Sequence, residues 1–311
     1  MIVYTDSIEY AAKILPGEID WQASDKTTLS PNLQLLAGNI FHDRARYQAE
    51  IKTAGIWQYL FIIEEAPSSH YDLMIKFGEE NVDLPHGILC LAGSSGKLHG
   101  QRARPWVGLP GNIHLTVYFT PQQKIDQFGI GFTILSAVSV IETIDAIDGL
   151  SGRAGIKWVN DIFIDQAKVS GFLTNAQCLG DTITAAILGI GLNVEAAPEI
   201  APDGFVPKAA ALQDFLINPA SGSPATVFDT LIGRLEANYE LLVSGQYSQL
   251  LERYKDRSII IGREVEIISD PLSGPSERLA SGRVTAIGEN LELYLEGKKK
   301  PITRGRLVLK D

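Results

Sequence analysis

The sequence predicts an α+β fold: a mixed β-sheet packed with helices, followed by a small β-barrel. Two observations carry this. Up to about Lys255, β-rich runs alternate with stretches whose apolar residues recur at helical spacing; beyond it, helical periodicity stops and short β-runs succeed one another with turn residues between them. A chain of 311 residues is also slightly longer than one core usually serves, so two or three domains are expected. The divisions we draw are 1–52, an N-terminal extension without an obvious winged helix; 53–255, the main domain; and 256–311, the small barrel.

In order, the extension shows a helical pattern over Ser7 to Leu15 and another at Leu33, Leu35, Leu36 and Ile40, with its cations scattered among acids, so it reads as an appended cap. A β-run, Tyr59 to Ile63, precedes Ala66-Pro67-Ser68-Ser69, where Pro67 restricts its neighbour and a serine caps a helix reaching Phe77. Strands near Ile88 to Ala92 and Ile113 to Phe119 flank a loop from Gly93 to Gly111. A long apolar helix covers Gln127 to Ile147. Ile156 to Ile164 reads as one strand, Asp165-Gln166-Ala167 as a tight turn, and Val169 to Thr174 as the returning strand. Ala185 to Val194 ends the sheet. A short helix near Ala209 to Leu216 and a long one over Ala225 to Lys255 follow. The β-runs Ile259-Ile260-Ile261, Val265 to Ile268, Gly282 to Val284, Leu291 to Leu295 and Leu307 to Leu309, parted by turns such as Ser273-Gly274-Pro275, predict the closed barrel.

Composition excludes several classes. With 45% hydrophobic and 21% charged residues the chain can build a packed core. Its net charge of -10 argues against nucleic acid as the main partner, because phosphate backbones demand clustered Lys and Arg. The two cysteines, Cys90 and Cys178, sit in apolar, strand-like surroundings and read as a reduced pair. The first residues have no basic region followed by an apolar stretch, and no run looks built to span a bilayer. A cytoplasmic protein without a membrane partner is expected. His42, His70, His86 and His114 show no metal-ligand spacing, so no protein-ligated metal is expected.

Two constellations can carry chemistry. The loop Gly93 to Gly111 holds Gly96, Lys97, His99, Gly100, Arg102, Arg104 and Trp106. Glycines let backbone N–H groups approach an anion, guanidinium forks pair with phosphate or carboxylate, and an indole stacks on a base. By itself such a loop is more often solvated surface. The hairpin is more specific: Lys157 and Lys168 are expected on two paired strands with Asn160 and Asp161 beside the turn, which gathers the cationic and metal-friendly groups that phosphoryl and nucleotidyl transfer require.

Here the residues resemble a family. Lys157-Trp158-Val159-Asn160-Asp161 is similar to the Lys-Trp-Pro-Asn-Asp signature of biotin protein ligases, in the biotin/lipoate protein ligase family, and the spacing to Lys168 and Gly171 matches its catalytic lysine and the glycine after it. His99 to Trp106 resembles the adenylate loop ending in Arg-x-Trp. Gly111-Asn112, Gly189-Ile190-Gly191-Leu192-Asn193 and Ser68-Ser69 match further landmarks.

The resemblance implies a core like that of class II aminoacyl-tRNA synthetases with a Src-homology-like C-terminal barrel. It further implies a ligase that uses ATP and Mg²⁺ to make biotinyl-adenylate and passes biotin to a lysine of a biotin carboxyl carrier protein or domain; an oligomer is compatible. By resemblance, Lys168 with Arg102 and Arg104 are catalytic. Ser68, Ser69, His99, Gly100, Gln101 and Gly171 bind the vitamin. Trp106, Lys157, Asn160, Asp161 and Asn193 bind ATP, with Mg²⁺ near Asp161. The chain departs from the pattern at His99 and Gln101, where the family has Arg, at Ala103 for Gly, and at Val159 for Pro. A poorer cationic loop leaves open a lipoate or octanoate ligase, or a non-catalytic vitamin-binding homologue.

Overall fold

The computed structural model describes residues 1–24, 29–53, 55–270 and 275–310; Ser273 and Gly274 of the expected turn lie outside them. The chain runs β1 (Ile2–Thr5), α1 (Ile8–Ile14), β2 (Gln22–Ala23), α2 (Pro31–Phe41), β3 (Tyr47–Glu50), β4 (Tyr59–Glu65), α3 (His70–Glu79), β5 (Ile88–Ser94), β6 (Ile113–Phe119) and α4 (Phe128–Asp145). Then come β7 (Ala154–Lys157), β8 (Asp161–Ile164), β9 (Ala167–Leu179), β10 (Thr182–Leu192), β11 (Lys208–Ala209), α5 (Pro224–Val243), α6 (Tyr247–Asp256), β12 (Glu264–Ile268), β13 (Arg278–Ile287), β14 (Leu293–Leu295) and β15 (Arg306–Leu309). One sheet of eleven strands is ordered β2-β3-β1-β4-β5-β6-β10-β9-β8-β7, with β11 paired to β9; a second of four is ordered β14-β13-β12-β15.

The large sheet is mixed, with β1, β4 and β5 parallel and β6, β10, β9, β8 and β7 antiparallel. Side chains alternate across a strand, and here both faces are apolar. Leu60 and Ile62 of β4, Leu89 and Leu91 of β5, and Leu115 and Val117 of β6 join one core, over which α1, α4, α5 and α6 pack. Phe61, Ile63, Ile88, Cys90 and Tyr118 face the other core, covered by α2 and α3. Residues Phe128–Asp145 of α4 are long and apolar enough to cross a membrane, yet 72% of that span is buried, because α4 lies between the sheet and α5.

Four expectations are corrected. Residues 1–52 are not an appended cap: β1 lies inside the sheet, parallel to β4 and antiparallel to β3, and Val3, Tyr4 and Thr5 are at most 2% exposed. Without β1, the strand β4 would present an unpaired edge. The run Ile156 to Ile164 is two strands, β7 and β8, folded back so that Lys157 pairs with Asp161. The helix expected over Ala225 to Lys255 breaks into α5 and α6 at Gly245, whose φ of 78° a helix cannot contain. Ile259 to Ile261 form turns rather than a strand. The small C-terminal β unit itself is present, a four-stranded antiparallel sheet with one further bridge, Leu293 to Ile302, consistent with the Src-homology-like unit expected.

Since α2 seals one face of the sheet, Leu36→Ala, at a position with no exposure, is expected to cost about 2–5 kcal/mol in urea unfolding. The neighbouring Leu35→Ala, at a site 50% exposed, is expected to stay within about 0.5 kcal/mol.

Candidate active site

The face of the sheet under α2 and α3 changes character along its length. On β6 and β10, Tyr118, Ala185 and Ile187 fill a core; two residues further along, the same face carries Thr116 and His114 opposite Gly189 and Gly191. Cross-strand pairing makes one row of Ala92, His114, Gly191, Gly171, Asp161 and Lys157, spanning β5 to β7. All six line a single cleft of about 340 Å³. Its floor is low because of two glycines: a methyl at Gly191 would collide with the indole of Trp106, and one at Gly171 would lie 3.1 Å from Lys168 Nζ and 3.3 Å from that indole.

Lys168 enters the cleft through a register offset. On β9, Ser170 pairs with Ile162 and Lys168 with Phe163, so Val169 is an extra residue, a β-bulge. Ala167, Val169 and Phe172 all belong to the opposite core. In regular alternation Lys168 would share their side with Phe172; the inserted residue moves it to the side of Gly171. Its Nζ stands 2.6 Å from Asp161 Oδ1 and 5.5 Å from the Trp106 ring centroid.

The walls come from four places: the start of α3, the loop before Val107, the segment from Pro198 to Val206, and the turn Gly305-Arg306-Leu307 at β15. Ser69 caps α3, its Oγ accepting from Asp72 N at 3.2 Å. His99 Nε2 meets both Asp72 oxygens at 2.9 Å, tying the loop to α3. The hydrogen bond of His99 to the Gly100 carbonyl, with that to Asp72, raises its pKa above the usual value against a smaller effect of burial. Arg102 and Ala103 have φ of 54° and 56°, a left-handed pair that suits the glycine found in the resembling family at the second position. Both arginines turn to the C-terminal unit: Arg102 Nε and Arg104 Nη1 lie 3.1 and 2.8 Å from Asp270 Oδ2.

Of the residues singled out in the sequence, Ser69, His99, Gly100, Gln101, Arg104, Trp106, Lys157, Asn160, Asp161, Lys168, Gly171 and Asn193 line the cleft. Ser68 is exposed and Arg102 is held outside by Asp270. Asn160 Nδ2 donates to the Phe172 carbonyl at 2.7 Å, fixing the hairpin against β9. Asn193, 2% exposed, donates to Ala210 O at 3.1 Å, and its Oδ1 has no partner among the described residues. Lys157 is 4% exposed and donates to the Phe205 carbonyl. Burial pushes its pKa down to about 8, Asp161 partly opposing and Lys168 and Arg306 adding to the shift. Among the described residues no three His, Cys, Asp or Glu side chains gather around a metal position.

Sequence reading missed Tyr71, His114, Phe205 and Arg306, which also line the cleft. His114 is an internal strut: its Nε2–H donates to Leu109 O at 3.1 Å and its Nδ1 accepts from Trp106 Nε1 at 3.4 Å. Burial lowers its pKa to about 4, which keeps that neutral tautomer. A signal was present for it, since His114 and Thr116 are the polar positions of an otherwise apolar strand. None was present for Arg306, which a separate sheet brings in.

Residues 83–193, which contain the whole cross-strand row, match the sequence profile of the Biotin/lipoate A/B protein ligase family. The chain is 33% identical over 136 residues to the bifunctional ligase/repressor BirA of Bacillus subtilis (strain 168), covering 42% of this chain and only 40% of that relative's length. It is 25% identical over 246 residues to the bifunctional ligase/repressor BirA of Escherichia coli (strain K12), covering 78% of this chain and 72% of the relative. The solved biotin protein ligase from Aquifex aeolicus in complex with biotin and ATP shares the fold, with a TM-score of 0.59 over 82% of this chain and 99% of that one at 19% identity.

Lys157 shows how the cleft trades stability for charge. The unfolded chain holds this proton up to about 10.5 and the folded one releases it near 8, so between those values the unfolded state binds more protons and wild-type stability rises with pH. Lys157→Met is expected to flatten that rise in thermal melts between pH 8 and 10, and to raise the melting temperature at pH 7.

Proposed function

We propose that this chain is an ATP-dependent biotin protein ligase that forms biotinyl-adenylate and transfers biotin to a lysine of a carboxylase carrier protein. One observation carries the reading most strongly: the β9 bulge delivers Lys168 beside Asp161, over a glycine floor, within the segment that matches the ligase family. The ligase names of the Bacillus and Escherichia relatives support the reaction class, and the biotin and ATP in the Aquifex structure support the substrates.

In the first step a carboxylate oxygen of biotin attacks the α-phosphorus of ATP, a P–O bond forms, and the bond to the β-phosphate breaks with release of pyrophosphate. Two anions must approach, so cationic charge is the main requirement. Lys168 would stand between carboxylate and α-phosphate, with Asp161 orienting its ammonium. Lys157 and Arg104 would meet phosphate oxygens, Trp106 would wall the nucleotide, and Asn193 would reach the adenine edge. Ser69, Gln101 and His99 would hold the polar ring of the vitamin on the α3 side. The carboxylates of Asp161 and Asp203 fit a Mg²⁺ carried mainly by the phosphates, which needs one or two protein oxygens. In the second step the carrier's neutral lysine amine attacks the acyl carbon, an amide forms, AMP leaves with the anhydride oxygen, and the amine loses a proton. Two unpaired cysteines, Cys90 and Cys178, suit a cytoplasmic setting.

Biotin-dependent exchange of labelled pyrophosphate into ATP tests the reading. Wild type is expected to exchange, and Lys168→Ala to lose on the order of 10²–10³ of the rate. No exchange with biotin, but exchange with lipoate or octanoate, would move the assignment to that vitamin; none with any of the three would end the enzyme reading.

A further inference from the structure

One cation in the cleft comes from neither the hairpin nor the glycine-bearing loop. Arg306 begins β15 in the C-terminal sheet and stands with Gly305 and Leu307 on the cleft wall. Its guanidinium stands over the Phe205 ring, Cζ 3.4 Å from the centroid. Phe205 is met through its carbonyl by Lys157, so two cations from two sheets converge on one residue of the connecting segment. That segment is itself braced, since Asp203 Oδ1 accepts from Phe205 N at 2.8 Å.

The pairing of these cations is uneven. Arg104 has Asp270 at 2.8 Å and Lys168 has Asp161 at 2.6 Å. Arg306, with its side chain 25% exposed, has one ion-pair contact among the described residues, Asp203, at the long limit of 4.0 Å. Burial and repulsion from Arg104 work against its charge, with Asp203, Asp270 and Asp161 opposing them more weakly. A guanidinium held over a ring still has N–H donors to offer to oxygen anions. A cation brought beside others across a cleft with only a distant carboxylate of its own is the mark of a place that an anion completes.

We propose that Arg306 is a binding residue for the polyphosphate of the nucleotide, supplied by the C-terminal sheet and acting on the β- and γ-phosphates that leave as pyrophosphate, with Phe205 as its platform. The assignment to those two phosphates rests on the ligase reading, in which Lys168 and the floor take the α-phosphate. It also gives the loop's missing charge a source, because Gln101 and His99 stand where the resembling family has Arg.

The test compares wild type, Arg306→Gln and Arg306→Lys, with thermal melts confirming the fold of each. Calorimetry with inorganic pyrophosphate, AMP and biotin is run beside the ATP dependence of pyrophosphate exchange. Arg306→Gln is expected to weaken pyrophosphate binding and raise the KM for ATP by about tenfold or more, with AMP and biotin affinities within about twofold and partial recovery in Arg306→Lys. Unchanged pyrophosphate binding in Arg306→Gln, an equal loss for AMP, or a wild type that binds no pyrophosphate overturns the proposal. Failure of the ligase reading looks different: wild type would bind pyrophosphate through Arg306 yet neither bind biotin nor exchange.

Discussion

Lys168 reaches the cleft because β9 inserts one residue, Val169, between its pairings with Ile162 and Phe163. Strand alternation is a strict period of two, and both faces of this sheet are otherwise committed to apolar packing. A regular β9 would aim the Lys168 ammonium into the core beneath α4, where an unpaired charge is untenable. The extra residue changes the parity once, leaving Ala167, Val169 and Phe172 in that core while Lys168 joins Gly171, Asp161 and Lys157 on the other side. The tight Lys168–Asp161 pair follows from that single offset.

The cleft concentrates like charges in a partly dry place, and it persists because each cation is held by something other than its ligand. Asp161 answers Lys168, Asp270 answers Arg102 and Arg104, and the backbone carbonyl and ring of Phe205 answer Lys157 and Arg306. Two of the four cations that line the cleft depend on the C-terminal unit, Arg104 through Asp270 and Arg306 by origin. The small sheet is therefore part of the cleft's electrostatics, beyond any separate role it has.

Much of this was legible in the sequence. The order of helices and strands from Tyr59 to Leu192 follows from periodicity and turn residues except at Ile156 to Ile164, and twelve of the fourteen residues singled out in the sequence line one cleft. What escaped reading lies in contacts between distant segments. Trp158 and Val159 have strong β preference, so Ile156 to Ile164 looks continuous; the fold-back depends on the Trp158 indole donating to the Leu291 carbonyl, 133 residues away. The parity break was visible in outline, as apolar residues at 167 and 169 and then at 172, but its meaning needs the register of β8. Arg102 was misplaced because nothing local foretells Asp270.

The fold-back of the hairpin has a consequence for how this molecule can be divided. Its tip is fastened twice from outside the large sheet, by Trp158 Nε1 to Leu291 O at 2.6 Å and by the Tyr254 hydroxyl to Val159 O at 2.9 Å. Dividing the chain between the two sheets would separate this turn from the carbonyl to which its indole donates. The two units are thus coupled at this turn despite their separate sheets.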